Sequence, residues 1–453
     1  MKQTPKKLKT LQDAQDAIVR PLFAYSVLIL FAILFLSVMR ISLFSPENPE
    51  QHIIFELVFL ILLAIVAEII VFHLKQPTVL ILMLLGVVMG SSFLSITWAA
   101  LPQGIPFLPE TPPQIFLNMQ IVGLFAQLGA IILMFKAGLH SSISKIFTKD
   151  NFFVAFLGIV FPFLGGYYFA TLSGGSFQYA LFLGAALTAT SVGVTVAILK
   201  ELKLIEQKFA QVIIGAAVID DILALLVLAL VLNMPSAIDS AALEPFLSVL
   251  AYSVIFIIGG AIAGKYFVQM KIDKAELNNK TFLYALAFVF LYAYIAQFIG
   301  LSGIVGAFLA GMLLAQSRHA SEIDSRSLSI ELIFTPIFFI SLGMLVDVPA
   351  LAQFFWPIVI LSALAILAKF IGCGAGALLA KLSRHESALV GVGMAPRGEV
   401  ALIIALFGLS AGVLDSAQYS IICAMAFLTT VAMPPVLYHL LNNNQTAKGG
   451  TPA

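Results

Sequence analysis

The chain has 453 residues, of which 61% are hydrophobic and only 10% charged, whereas a soluble domain carries about 25% charge. A net charge of +1 leaves no broad basic face for nucleic acid. The apolar runs are continuous rather than alternating, which argues against a transmembrane β-barrel and for a polytopic all-α protein of the lipid bilayer.

The first twenty residues, MKQTPKKLKTLQDAQDAIVR, are basic and precede an apolar run, Leu22–Val38. No small-x-small cleavage site follows, so the reading is a cytoplasmic segment (1–20) leading into an uncleaved extra transmembrane helix (21–44). Thirteen further apolar segments follow, at 52–73, 77–95, 114–138, 152–172, 178–199, 207–233, 243–268, 281–299, 302–317, 328–346, 351–380, 387–410 and 415–441. The total is about 14 spans. The shorter ones, such as 302–317, are expected to run obliquely or to be partly buried. Residues 442–453 form a short polar tail that is too small to fold alone.

Loop charge tests the count. With the N-terminus in the cytoplasm and alternating spans, all but three of the 24 basic residues fall on the inner side. The long outer loops, 96–113 and 234–242, contain no Lys or Arg. Positive-inside bias therefore places both termini in the cytoplasm. Of the three exceptions, Arg40 lies near the outer end of its helix and can snorkel. Lys369 and Arg397 lie deep in spans and cannot.

In chain order, Glu56 and Glu68 share the second span, His140 falls at a helix end, and Glu331 begins the eleventh span. Interfacial or dimer-contact roles suit the acids. The sixth span, GAALTATSVGVTVAIL (184–199), crowds Thr188, Thr190, Ser191 and Thr195 around Gly193. The thirteenth, GVGMAPRGEVALII (391–404), sets Gly391, Gly393, Pro396 and Gly398 beside Arg397 and Glu399. Both read as broken helices whose freed backbone or hydroxyl groups face a cavity, although a simple kink would explain either one alone. They are seven spans apart, so they cross in opposite directions. Broken helices at matching positions of two inverted halves mark transporters that bind at the midplane. The halves are placed at 52–233 and 281–441, joined by a linker helix at 243–268.

The seventh span holds Asp220 and Asp221 in an otherwise apolar run. An ionised group at the bilayer centre costs about 2.5–3.5 kcal/mol on an insertion scale. Neighbouring helical residues point about 100° apart, so the pair cannot share one partner equally. A structural role for both acids is the bland alternative, but intramembrane acids are functional candidates by default. Lys369 is the obvious partner for one of them. Such a pair is a poor stability device and a good proton device. Cys373 and Cys423 lie in apolar runs and suggest neither a disulfide nor a metal site.

Together VIDD, TATSVG, LAKFIGCG and MAPRGEVAL resemble the bacterial Na+/H+ antiporters of the monovalent cation:proton antiporter-2 family. KQPTVLILMLLGVVMG, FKAGL, GLSGIVGAFLAGMLLA and TPIFFISLGMLVD add to the likeness, which spans about 52–440 in order. The resemblance implies an inverted-repeat antiporter fold with two crossed broken helices and one extra N-terminal helix. It implies a homodimer in the bacterial inner membrane, with no nucleotide-binding domain and no cofactor beyond the transported Na+ or Li+ and H+. By the same likeness Asp221 is the cation- and proton-binding carboxylate, and Asp220 pairs with Lys369 in the cation-free state. Thr190 and Ser191 help to form the Na+ site, and Arg397, Glu399 and Pro396 support the second crossover. The double aspartate with this lysine implies electrogenic exchange. His140 stands where the family's FxxGLE pattern has an acid. The expected mechanism is alternating access with Na+ and H+ competing at Asp221, and the chain is not read as an enzyme. Potassium/proton exchange on the same scaffold is the alternative. A channel lacks a repeated filter loop, and an intramembrane aspartyl protease needs carboxylates that converge rather than diverge.

Overall fold

The computed structural model describes residues 49–74, 77–101, 111–113, 115–117, 119–140, 148–191, 195–196, 198–199, 202–234, 240–273 and 279–447. The N-terminal segment, the helix expected at 21–44, Gly193 and the last residues of the tail lie outside these. Among the described residues all regular structure is helical. The helices are α1 (Pro49–Leu74), α2 (Thr78–Met89), α3 (Ser91–Ala100), α4 (Met119–Leu139), α5 (Lys149–Leu172), α6 (Phe177–Thr188), α7 (Lys208–Leu232) and α8 (Ser240–Phe267). They continue with α9 (Asn279–Phe298), α10 (Gly303–Leu314), α11 (Ala320–Met344), α12 (Val348–Gln353), α13 (Phe355–Leu379), α14 (Arg384–Gly393), α15 (Glu399–Ser410) and α16 (Ser416–Ala447). Eight of them, α1, α4, α5, α7, α9, α11, α13 and α16, are long and apolar enough to cross a membrane. This is a multi-pass membrane protein.

Three expected spans take a different form. The 77–95 segment breaks at Gly90, which turns to an extended conformation (φ −69°, ψ 147°), and α3 restarts at Ser91. The 302–317 segment is the twelve-residue α10, every residue of which is buried. At about 1.5 Å per residue it is too short for a hydrocarbon core of about 30 Å, so protein rather than lipid surrounds it. The 328–346 segment begins earlier, because α11 starts at Ala320 with the polar turns ASEIDSRSLS. Hydropathy does not register these turns, which carry an (i, i+4) pair from Arg326 Nε to Glu322 Oε1 at 2.6 Å.

Contacts divide the chain into two compact units: the stretch up to Phe59 with Leu94–Ile121, and Leu60–Phe93 with Val122 onward. In the smaller unit His52 Nδ1 lies 3.0 Å from Glu56 Oε1, and that oxygen accepts from the Leu117 N–H at 2.7 Å. Phe59 meets Phe116 edge-on at 6.2 Å, so the buried acid and the aromatic edge hold the same two segments together.

The larger unit is assembled by close backbone approach. Helices in lipid associate through packing, and small residues permit it. α5 lies along α13, where a Cβ on Gly376 would come within 2.5 Å of Val154 Cα. α2 lies on α11, where a Cβ on Gly86 would fall 2.1 Å from the Ile340 carbonyl oxygen and 2.9 Å from Gly343 Cα. Gly86→Ala is therefore expected to force α2 off α11 and cost about 1–3 kcal/mol, in the range of overpacked cores. The check is the thermal midpoint in detergent; an unchanged midpoint would mean that the two helices are not locked together.

Candidate functional site

The two predicted breaks meet. α6 ends at Thr188, Ala189 is extended (φ −59°, ψ 147°), and helical backbone resumes at Thr195. α14 starts on a capping box of Ser383 and Glu386 and ends at Gly393, and α15 starts at Glu399. Between them Pro396 has no N–H to continue a helix. The Ser191 N–H donates to the Pro396 carbonyl at 2.9 Å, and the Thr195 hydroxyl donates to the Gly393 carbonyl at 2.8 Å. Each break thus satisfies backbone groups that the other has freed, as irregular backbone inside a membrane must. Gly398 is required at the crossing, because a Cβ there would lie 2.5 Å from Ser191 Cβ. With that approach the Ser191 hydroxyl donates to Glu399 Oε2 at 3.1 Å.

α7 carries the aspartates past this crossing. Asp220 is fully buried and Asp221 half-buried, so the two point into different surroundings. Lys369 Nζ on α13 donates to Asp220 Oδ1 at 2.7 Å, and neither side chain is exposed. The same ammonium donates to the Thr188 carbonyl at 2.6 Å. That carbonyl belongs to the last turn of α6, where the helix dipole places partial negative charge. Lys369 therefore ties the first break to α7 through one cation.

Beside this pair Asp220 Oδ2 and Thr190 Oγ1 are buried with no hydrogen bond of full geometry, although Thr190 lies close enough to interact with the Asp220 carboxylate. Asp221 makes no hydrogen bond or ion pair among the described residues, and it lies within electrostatic reach of Asp220, Glu399 and Lys369. A carboxylate with open oxygens beside a second buried carboxyl suits a hard cation, which takes oxygen ligands, or a proton. Among the described residues no cluster of three or more His, Cys, Asp or Glu side chains could hold a resident metal.

Arg397 is fully buried, and its guanidinium bonds only carbonyls. Nη1 donates to Ala395 O at 3.0 Å and Nη2 to Ala365 O at 2.9 Å, while Nε has no partner. Ala365 lies one turn before Lys369 on α13. The second break therefore reaches the helix that carries the lysine. A cavity of about 60 Å³ opens beside the crossing, walled by Ser191, Glu399, Thr430 and the aliphatic side chains of Leu80 and Met83.

Other charged residues are brought together elsewhere. Lys136 on α4 pairs with Asp324 and, at 3.3 Å, with Glu331 Oε2 on α11, and His140 Nε2 lies 3.0 Å from Asp324 Oδ1. Glu331 and His140 are thus members of one α4–α11 ionic cluster. The partners that the sequence did not offer are the Thr188 and Ala365 carbonyls, Asp324, and the adjacent Thr429 and Thr430.

Two crossed, interrupted helices enclosing a buried charge pair and an open carboxylate define a membrane-embedded carrier for small cations. Comparison with known proteins places the chain within that class. Residues 61–442 match the family described as sodium/hydrogen exchanger, transmembrane. The chain is 31% identical over 392 residues to the Na+/H+–K+ antiporter GerN of Bacillus cereus, covering 86% of this chain and 96% of the relative. It is 35% identical over 324 residues to a Na+/H+ antiporter of Enterococcus hirae, covering 69% and 83%. The solved sodium proton antiporter MjNhaP1 of Methanocaldococcus jannaschii shares the fold, with a TM-score of 0.62 and 17% identity over 86% of this chain and 96% of that one. The chain belongs to the sodium/hydrogen exchanger family.

Proposed function

We propose that this protein is a secondary active sodium/proton antiporter. The observation that carries the reading is Asp221: an uncommitted carboxylate beside the buried Asp220–Lys369 pair, at the crossing of two broken helices. Sodium and protons compete for it. One occupant at a time makes exchange obligatory without contact between the two ions. Thr190 and Ser191 supply further oxygens. Arg397, Pro396 and Glu399 hold the second half of the crossing in place.

Finer features follow from the same reading. Lys369 can release its proton when sodium draws Asp220 or Asp221 away, which makes exchange electrogenic. Distribution of Lys and Arg along the sequence supports cytoplasmic termini in a bacterial inner membrane. The family likeness supports a homodimer and a carrier that makes or breaks no covalent bond. Potassium/proton exchange is the second reading. It is favoured by the name of the Bacillus cereus relative, which includes potassium.

One assay separates the two. Purified protein in liposomes with an imposed proton gradient is given Na+, Li+ or K+, and proton release is followed by fluorescence dequenching. Na+ and Li+ are expected to discharge the gradient and K+ to do so weakly. Exchange is also expected to slow when both sides are made acidic, because protons then hold the carboxylate. A response to K+ equal to that for Na+ would replace sodium selectivity with the second reading. A cation flux indifferent to the proton gradient would mean a channel.

A further inference from the structure

The second break is gripped from α16. The Thr429 hydroxyl accepts from the Arg397 N–H at 3.2 Å and donates to Ala426 O at 2.9 Å. The Thr430 hydroxyl donates to the Arg397 carbonyl and shares its proton with Ala426 O, at 2.9 Å. Threonines in membrane helices commonly bond back to their own preceding turn, and the Ala426 contacts are of that kind. The Arg397 contacts are not. Two adjacent side chains take the two backbone polar groups of a single residue in a non-helical stretch, where an unsatisfied group in hydrocarbon costs several kcal/mol.

What hangs from that peptide gives the grip its consequence. Pro396, one residue earlier, lends its carbonyl to the Ser191 N–H at 2.9 Å. The Arg397 guanidinium runs to Ala365 on the helix of Lys369. Glu399, two residues later, receives the Ser191 hydroxyl at 3.1 Å. Thr430 also borders the cavity beside Ser191 and Glu399. The doublet sits halfway along the helix that follows its break, as Asp220–Asp221 does in α7: the aspartates are residues thirteen and fourteen of α7, the threonines fourteen and fifteen of α16.

We propose that Thr429 and Thr430 are positioning residues for cation binding. By clamping the Arg397 peptide they fix the second break so that Ser191, and the oxygens beside Asp221, are presented in binding geometry. This rests on the antiporter reading above. The test is a KM-against-rate separation in proteoliposomes for wild type, Thr429→Val/Thr430→Val, Thr430→Val alone, and Thr429→Ser/Thr430→Ser, with thermal midpoints read alongside. The valine pair keeps the shape and loses both hydroxyls. It is expected to raise the apparent KM for Na+ and Li+ about tenfold, as for a lost buried hydrogen bond of ordinary strength. The maximal rate per folded molecule should change far less, and the serine pair should restore the KM to within about twofold. Thr430→Val alone should raise the KM by about threefold, and it carries the test if the double variant does not fold. A valine variant with the wild-type KM, or one whose loss lies wholly in the amount of folded protein, overturns the proposal, as does a folded serine pair without rescue. Wild-type vesicles whose cation flux is indifferent to the proton gradient overturn instead the antiporter reading, and the proposal with it.

Discussion

Asp221→Asn is expected to reduce sodium-driven proton release to the leak of empty liposomes. Asparagine keeps the size and one carbonyl oxygen, but it can neither carry the charge that balances a cation nor take up a proton near neutral pH. On the proposed mechanism, the competition that couples the two ions is then removed at its source. The fold gives no reason to expect collapse. Asp221 makes no hydrogen bond or ion pair among the described residues, and the Asp220–Lys369 contact at 2.7 Å is left intact. The variant should elute and melt like the wild type while transport is lost. Dequenching with Na+ and Li+ across a pH series decides the matter. Retained sodium-dependent proton movement at any pH in the series would sink the assignment of Asp221 as the carrier.

Lys369→Ala has the second-largest expected effect, on stability and on charge movement together. Removing one member of a fully buried ion pair leaves the other uncompensated and costs about 3–5 kcal/mol. Here the Thr188 carbonyl loses its donor as well. The thermal midpoint should fall sharply. Adding Asp220→Asn should recover much of the loss, because the orphaned charge is then gone. The electrical signature should not recover. If Lys369 carries one of the protons, current per turnover in a supported-membrane recording falls toward zero in both the single and the double variant. Wild-type current at wild-type turnover would remove the lysine from the proton path and leave it a structural role.

How much of this was legible in the sequence follows from what a sequence can encode. The breaks were readable because Pro396, Gly398 and a run of hydroxyl residues are costly inside a span unless the backbone is opened there. Asp220, Asp221 and Lys369 were readable because a bilayer makes any charge conspicuous. The partners were not. Thr188 and Ala365 act through their carbonyls, and every residue has one. Thr429 and Thr430 stand in a helix where threonine is unremarkable, and only the fold brings Arg397 to them. The α4–α11 cluster was half readable: Lys136 and His140 lie one turn apart, and Asp324 and Glu331 two turns apart, but hydropathy hid Asp324 by starting its span too late. The burial of α10 was partly readable, because its segment was too short for a full span, and the structure buries all of it.

The glycine contact between α2 and α11 has a mechanical consequence. At Gly86 and Gly343 two backbones touch without side chains between them, so there is no soft layer in which one helix could slide on the other. α2 supplies Leu80 and Met83, and Pro77 just before it, to one wall of the cavity beside Ser191 and Glu399. That wall belongs to a stiff beam. Any change in the width of the cavity then falls to the opposite side, lined by Ser191, Glu399 and Thr430. The Gly86→Ala substitution is accordingly a change to the frame, and it should lower stability while leaving the choice between sodium and potassium where it was.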